Sequence, residues 1–238
     1  LLCVPVLMLP PTSPVQPDAN PVTAAMTPFD RWRYVVVEGP IGVGKTSLAN
    51  RLADRFGAQR LLEEPDANPF LERFYRDGER YALPTQLFFL FQRVQRLRDQ
   101  VQAGLFSRAV VGDFLLDKDP LFARLTLADD ELALYRQIHD SLRPQAPAPD
   151  LVIYLQAQPD TLVERVQARG NPIEAPVTER YLRALSDAYS QFFYHYDAAP
   201  LLIVNTEHLN PVASDEDLAL LLRHVQQMRG RREFFSRA

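Results

Sequence analysis

The sequence predicts an α/β fold, a parallel β-sheet flanked by helices on both faces, on two observations. First, short runs that are apolar almost throughout alternate with longer stretches of helical periodicity. The runs are Tyr34-Val-Val-Val-Glu38, Ala109-Val-Val-Gly-Asp113, Leu151–Leu155 and Leu201–Val204. Strands without a polar side are covered on both faces, and parallel strands need helical crossovers. Second, Gly39-Pro-Ile-Gly-Val-Gly-Lys-Thr46 follows the first strand, matches G-x-x-x-x-G-K-[ST] in full and continues with Ser47. Strand, glycine loop and helix form the context in which this pattern cradles phosphate.

Each element has its own signal. Leu48, Ala49, Leu52, Ala53 and Phe56 recur at helical spacing, so a helix over about 44–56 follows the loop. Arg60–Glu64 reads as a short second strand ending in Glu63-Glu64-Pro65, and 68–77 as a short helix with Pro69 in its first turn. From Thr85, an apolar stripe of Leu87, Leu90, Phe91, Val94, Leu97 and Val101 predicts a long helix ended by Gly104. Residues 128–142 read as helix, 144–149 as loop, and 159–168 as a helix closed by Gly170. Asn171–Val177 has two prolines and no periodicity, so it reads as a loop. Tyr181, Leu185, Tyr189, Phe192 and Tyr196 mark a second long helix. Ser214-Asp-Glu-Asp217 resembles a capping box opening the last one.

Composition sets the bounds. The 238 residues suffice for one large domain. A net charge of −4 argues against a nucleic-acid partner, which calls for a basic face. The single cysteine, Cys3, excludes an internal disulfide and a cysteine metal cluster, and fits a reducing, cytoplasmic setting. The four histidines are scattered without ligand spacing and read as surface or packing residues. No apolar run reaches the ~20 residues of a membrane span, and Leu1–Leu9, broken by Pro5 and without a basic start, does not read as a signal peptide. Seven of the 20 prolines fall within residues 1–28, so 1–30 is expected to be a disordered tail and the functional chain to start near Met26. The folded domain is expected over 31–230, with 231–238 a second tail.

The loop implies a bound triphosphate. Successive backbone N–H groups and the positive end of the following helix face the phosphates. Lys45 reaches the outer ones and the Thr46 hydroxyl can hold Mg²⁺. Gly39, Gly42, Gly44, Lys45, Thr46 and Ser47 are therefore the candidate nucleotide-binding residues. A GTPase would need an N-K-x-D segment, and there is none; an AAA-type ATPase strand ends Asp-Glu, whereas this one ends Gly112-Asp113-Phe114. In parallel sheets ligands bind at the carboxyl ends of strands, where Glu64, Asp113 and the loop all lie. Glu64 is the candidate general base, with an ordinary strand-end carboxylate as the alternative. Gln86 stands in the apolar register of its helix, either reading a base edge or satisfied in the core. Arg93, two turns on along the same face, contacts the base or holds an acidic neighbour such as Asp117. Arg165 and Arg169 share a helix face, as a phosphoryl clamp or as a solvated basic face.

These residues resemble the deoxyribonucleoside kinase family, especially bacterial deoxyadenosine/deoxyguanosine kinases, from about Tyr34 to Leu222. The likeness is carried by Glu38-Gly-Pro-Ile-Gly-Val-Gly-Lys-Thr46, Glu64-Pro65 with Asn68–Tyr75, Tyr81 and Gln86 followed by Arg93, Arg165–Gly170, and Glu174 before Tyr181. The resemblance implies a P-loop kinase fold with a short lid, and phosphorylation of the 5′-hydroxyl of a deoxynucleoside by ATP and Mg²⁺. It also implies Tyr75 on the sugar 3′-hydroxyl, Glu174 on the sugar as the lid closes, an aromatic near Phe88, Phe89 and Phe91 on the base, and a homodimer through the long helices. Asp113 would sit by the substrate and orient Mg²⁺ through water, beside Thr46. Lys45, Glu64, Arg165 and Arg169 would be the catalytic set. Two departures stand out. The Glu-Arg-Ser or Asp-Arg-Ser usual in the family is here Gly112-Asp113-Phe114, with Lys118 the candidate replacement for the arginine, and Asn171 stands where related lids often carry another arginine. A nucleoside monophosphate kinase is the alternative enzyme, on the arginines between Phe70 and Arg98. A catalytically weakened nucleotide-binding regulator is the alternative from another class.

Overall fold

The structure, a computed structural model, describes residues 31–102, 109–143 and 147–237. The proline-rich segment 1–30, Gly104 and part of the 144–149 loop lie outside the described residues. Six parallel strands form one sheet in the order β2-β3-β1-β4-β5-β6. They are β1 (Tyr34–Glu38), β2 (Gln59–Leu61), β3 (Val110–Gly112), β4 (Leu151–Gln156), β5 (Leu201–Asn205) and β6 (Arg232–Phe235). The helices are α1 (Lys45–Phe56), α2 (Leu71–Arg76), α3 (Gly78–Gln102), α4 (Asp119–Thr126), α5 (Asp129–Leu142), α6 (Pro159–Arg169), α7 (Glu179–His195) and α8 (Asp215–Gln227).

The apolar strands are buried on both faces because alternate side chains feed two cores. Tyr34, Val36, Val152, Tyr154, Leu201 and Ile203 pack with α3, α4, α5 and α7. Val35, Val37, Ile153, Leu155, Leu202 and Val204 pack with α1, α6 and α8. β1 pairs with β3 on one side and β4 on the other. The chain therefore changes direction across the sheet at β1, and the crevice opens at its carboxyl end, where the glycine loop lies.

Several boundaries differ from the sequence reading. β2 ends at Leu61, so Glu63 and Glu64 lie beyond it, in the stretch leading to a 3₁₀ turn at Pro65–Ala67. α3 begins at Gly78 and runs through Pro84. The bond lost to proline is local, while Ala82 of the same turn is fully buried against Leu71 and Phe74, and packing overrides the breaker. α4 was not foreseen, because its eight residues are too few for periodicity to register. Within the expected tail 231–238, Arg232–Phe235 instead extend the sheet beside β5, with Leu201 opposite Arg232 and Val204 opposite Phe235. As an edge strand β6 has charged residues and only a partial apolar face, Phe235 inward and Phe234 71% exposed, so no buried-strand pattern marks it.

Candidate active site

The glycine loop needs its glycines where the backbone turns and where neighbours press in. Gly42 has φ +86°, and a Cβ there would meet Leu162 O and Val166 Cγ2, both at 2.9 Å. At Gly39 a Cβ would lie 2.6 Å from Leu155 O. α1 then starts with no side-chain cap and no acidic residue in its first turn, so its N–H groups and positive dipole end remain available to an anion. Gly42, Gly44, Lys45, Thr46 and Ser47 line one side of a pocket of about 310 Å³. Arg165, Arg169, Asn210 and Val212 close it. Arg165 is held there by Thr206, through Oγ1 at 3.1 Å and the carbonyl at 2.9 Å.

A second cavity of about 400 Å³ adjoins the first and shares Gly42, Lys45, Thr46, Ser47 and Arg169 with it. Its other walls carry Glu63, Tyr75, Gln86, Arg93, Lys118 and Glu174, together with the aromatic rings of Phe74, Phe89 and Phe122. Tyr75 comes from α2 and Glu174 from the lid segment after α6, where it pairs at 3.1 Å with Arg169, the last residue of that helix. Asn171 fixes the lid's 3₁₀ turn (Pro172–Glu174) by accepting from Ile173 N. Gln86 is buried, its amide 3.4 Å from Thr126 Oγ1. Of the three phenylalanines on α3, Phe89 faces the cavity while Phe91 is 53% exposed.

Of the two glutamates that follow β2, Glu63 is the one that lines this cavity. Glu64 points outward, 62% exposed and paired with Arg96 at 2.5 Å. β2 stops at Leu61 and neighbouring side chains on an extended stretch point opposite ways, so Glu64, the candidate base of the sequence reading, lies outside the cavity that Glu63 lines. Burial pushes the Glu63 carboxyl up, but Arg93, Lys118 and Lys45 outweigh that and bring it down to about 2. Arg93 bonds Glu63 and, at 2.6 Å, Asp119. The acidic neighbour suggested for Arg93, Asp117, is instead paired with Arg143. Burial raises the Asp119 pKa against the pull of Arg93, and its Oδ2 has no hydrogen-bond partner among the described residues.

Asp113 accepts from Thr46 Oγ1 at 2.5 Å and from Glu63 N at 2.7 Å, joining β3 to the loop. Lys118 lies one 3₁₀ turn beyond β3, with its ammonium 2.5 Å from Glu38 Oε1. Partial burial and the Lys118 charge lower the Lys45 pKa. Asp119 was missed in the sequence, although it stands next to Lys118 in a segment dense in acids.

A strand-loop-helix phosphate cradle beside a separate, aromatic and ion-lined acceptor cavity defines a phosphotransferase that acts on a small acceptor. The deoxynucleoside kinase family model matches residues 35–228, and the chain belongs to that family. It is similar to a deoxyguanosine kinase of Bacillus subtilis, 30% identical over 200 residues, which span 82% of this chain and 97% of the relative. A deoxyadenosine kinase of Lactobacillus acidophilus is 28% identical over 209 residues, 82% of this chain and 95% of that one. Among solved structures, deoxyadenosine kinase from M. mycoides, with products dCMP and a flexible dCDP bound, shares the fold at TM-score 0.72 and 22% identity, covering 82% of this chain and 99% of that one. The protein is thus an ATP-dependent deoxynucleoside kinase, and the monophosphate-kinase reading gives way to it.

Proposed function

We propose that Glu63 and the walls of the 400 Å³ cavity bind a deoxynucleoside so that its 5′-hydroxyl faces ATP on the glycine loop. The observation that carries this is the meeting of the two cavities at Lys45 and Arg169. In the transfer, Glu63 takes the hydroxyl proton and the 5′-oxygen bonds to the γ-phosphorus. The bond from that phosphorus to the bridging oxygen breaks, and ADP leaves with the electron pair. A carboxyl of pKa about 2 is ionised at neutral pH, and the loose transition state asks little basicity of it. Lys45, Arg165 and Arg169 stabilise the charge on the phosphate oxygens.

Gln86, Arg93 and Asp119 would meet the base edge, the unpaired Asp119 oxygen offering an acceptor there. Tyr75 and Glu174 would meet the sugar hydroxyl. The names of the relatives favour a purine acceptor. Thr46 and Asp113 would hold Mg²⁺: both offer oxygen, and a hard cation held by one or two protein oxygens with phosphates and water fits that set. When bound there, Mg²⁺ would offset the charge that develops on the phosphate oxygens.

A homodimer, a cytoplasmic location and the absence of a nucleic-acid partner complete the proposal. The long helix α7 offers a dimer face: with α4 and α5 it borders a groove of about 690 Å³ lined by Leu121, Leu125 and Phe192. Sedimentation at micromolar concentration would report the dimer. Among the described residues no helix is long and apolar enough to cross a membrane. The deciding experiment supplies ATP with each of the four deoxynucleosides and their monophosphates. Phosphorylated nucleoside is the expected product. Transfer to monophosphates alone, or binding without transfer, would sink the reading.

A further inference from the structure

The cations of this chain are unevenly chosen: of 26, only Lys45 and Lys118 are lysines and the rest are arginines. They stand 73 positions apart in the sequence, and the fold brings both to the wall of the acceptor cavity. Lys45 is accounted for by the glycine loop. Lys118 is not: it is 1% exposed, which for a lysine takes a paired charge and a reason.

Its partner, Glu38, is fully buried and fixed from four directions. Gly39 N and the Tyr189 hydroxyl donate to Oε2 at 2.7 and 3.0 Å, while Leu115 N at 3.0 Å and Lys118 at 2.5 Å bind Oε1. One carboxylate therefore ties the first peptide of the glycine loop to the segment that carries Lys118. The ammonium sits over the rings of Phe122 and Tyr189, at 5.5 and 6.0 Å. It has three N–H donors, and among the described residues Glu38 is its one hydrogen-bond partner. Its charge is felt by Lys45 and Glu63 on the cavity wall and by its chain neighbour Asp119.

We propose that Lys118 is a catalytic residue of the phosphoryl transfer, a pre-aimed ammonium whose free N–H groups meet the oxygens of the transferring phosphoryl group on the acceptor side, opposite Lys45. The inference rests on the acceptor site proposed above. Two lysines then flank the path along which the phosphoryl group passes from ATP to the hydroxyl. The Glu38 carboxylate sets the position of Lys118 without entering the reaction.

The alternative is that Lys118 only neutralises Glu38, and a double substitution separates the two. Lys118→Met alone strands a buried carboxylate and is expected to lower the melting temperature, whereas Glu38→Gln with Lys118→Met removes both charges, and Lys118→Gln keeps a donor toward Glu38. In whichever of the last two melts near the wild type, kcat should fall on the order of 10²-fold or more while the deoxynucleoside KM stays within about threefold. Wild-type kcat in that variant would overturn the proposal. Because the sequence holds two lysines, ¹⁵N-lysine labelling of the wild-type protein gives a pair of side-chain signals that needs no variant to fold. Both should shift when ADP, deoxynucleoside, Mg²⁺ and aluminium fluoride are added, and a shift confined to Lys45 would also overturn it. Wild-type transfer to nucleosides, measured first, keeps a failure of the acceptor-site reading distinct from a failure of Lys118.

Discussion

The two halves of this site are built in opposite ways. The donor half is nearly continuous in sequence: Gly42 to Ser47 supply backbone N–H groups, a helix end, one ammonium and two hydroxyls. The acceptor half draws single side chains from α2, α3, the stretch after β2, the segment after β3, α4 and the lid. Its charges are held by one another, Glu63 and Asp119 by Arg93, and Lys118 by Glu38. A cradle made of backbone can be specified locally, whereas a cavity made of buried ions exists only after the elements have packed. The donor half should therefore fail in the same way for every acceptor, and the acceptor half should fail according to which nucleoside is offered.

The strongest test is Lys45→Ala. Transfer should fall by about 10³-fold or more for every deoxynucleoside, with the melting temperature little changed, since a half-buried lysine of lowered pKa contributes little to folding. Turnover near that of the wild type would break the donor assignment. Next comes the pair Glu63→Gln and Glu64→Gln, compared by steady-state kinetics. The first should lose about 10²–10³ in kcat with nucleoside KM nearly kept, and the second should stay within about threefold. The reverse order would restore Glu64 as the base.

Gln86→Ala should act selectively, raising KM by roughly tenfold for the best acceptor, on the order of one hydrogen bond, and by less for the poorest. An equal effect on all four nucleosides would place Gln86 in the core instead. The smallest effect concerns acid stability. Glu63 has a folded pKa of about 2 against an ordinary 4.5, so its contribution is present above about pH 4.5 and lost as pH falls toward 2. Denaturant titrations between those limits should show a slope that Glu63→Gln flattens.

Much of the fold was legible because strands buried on both faces leave continuous apolar runs, and β1, β3, β4 and β5 each did so. The elements misread were those whose residues carry too little pattern. β6 is a charged edge, α4 spans eight residues, and the first turns of α3 are held by packing across a proline. In the site, Thr46 and Asp113 lie where the strand ends promised, 2.5 Å apart. The Glu63/Glu64 choice turned on where β2 stops, and side chains alternate along an extended stretch, so one residue of register exchanges cleft for solvent.

The sequence by itself determined the phosphate cradle and the parallel α/β frame around it, because both follow from short-range rules: glycine at tight turns, periodicity and strand-end placement. Only the tertiary structure decided which side chains line the second cavity. It selected Glu63 over its neighbour, gave Arg93 to Asp119 rather than Asp117, and brought Lys118 to the cavity that holds Lys45. The reason is electrostatic. A buried charge takes its meaning from partners within a few ångströms, and those partners are set by how helices and strands pack, not by how far apart they lie along the chain.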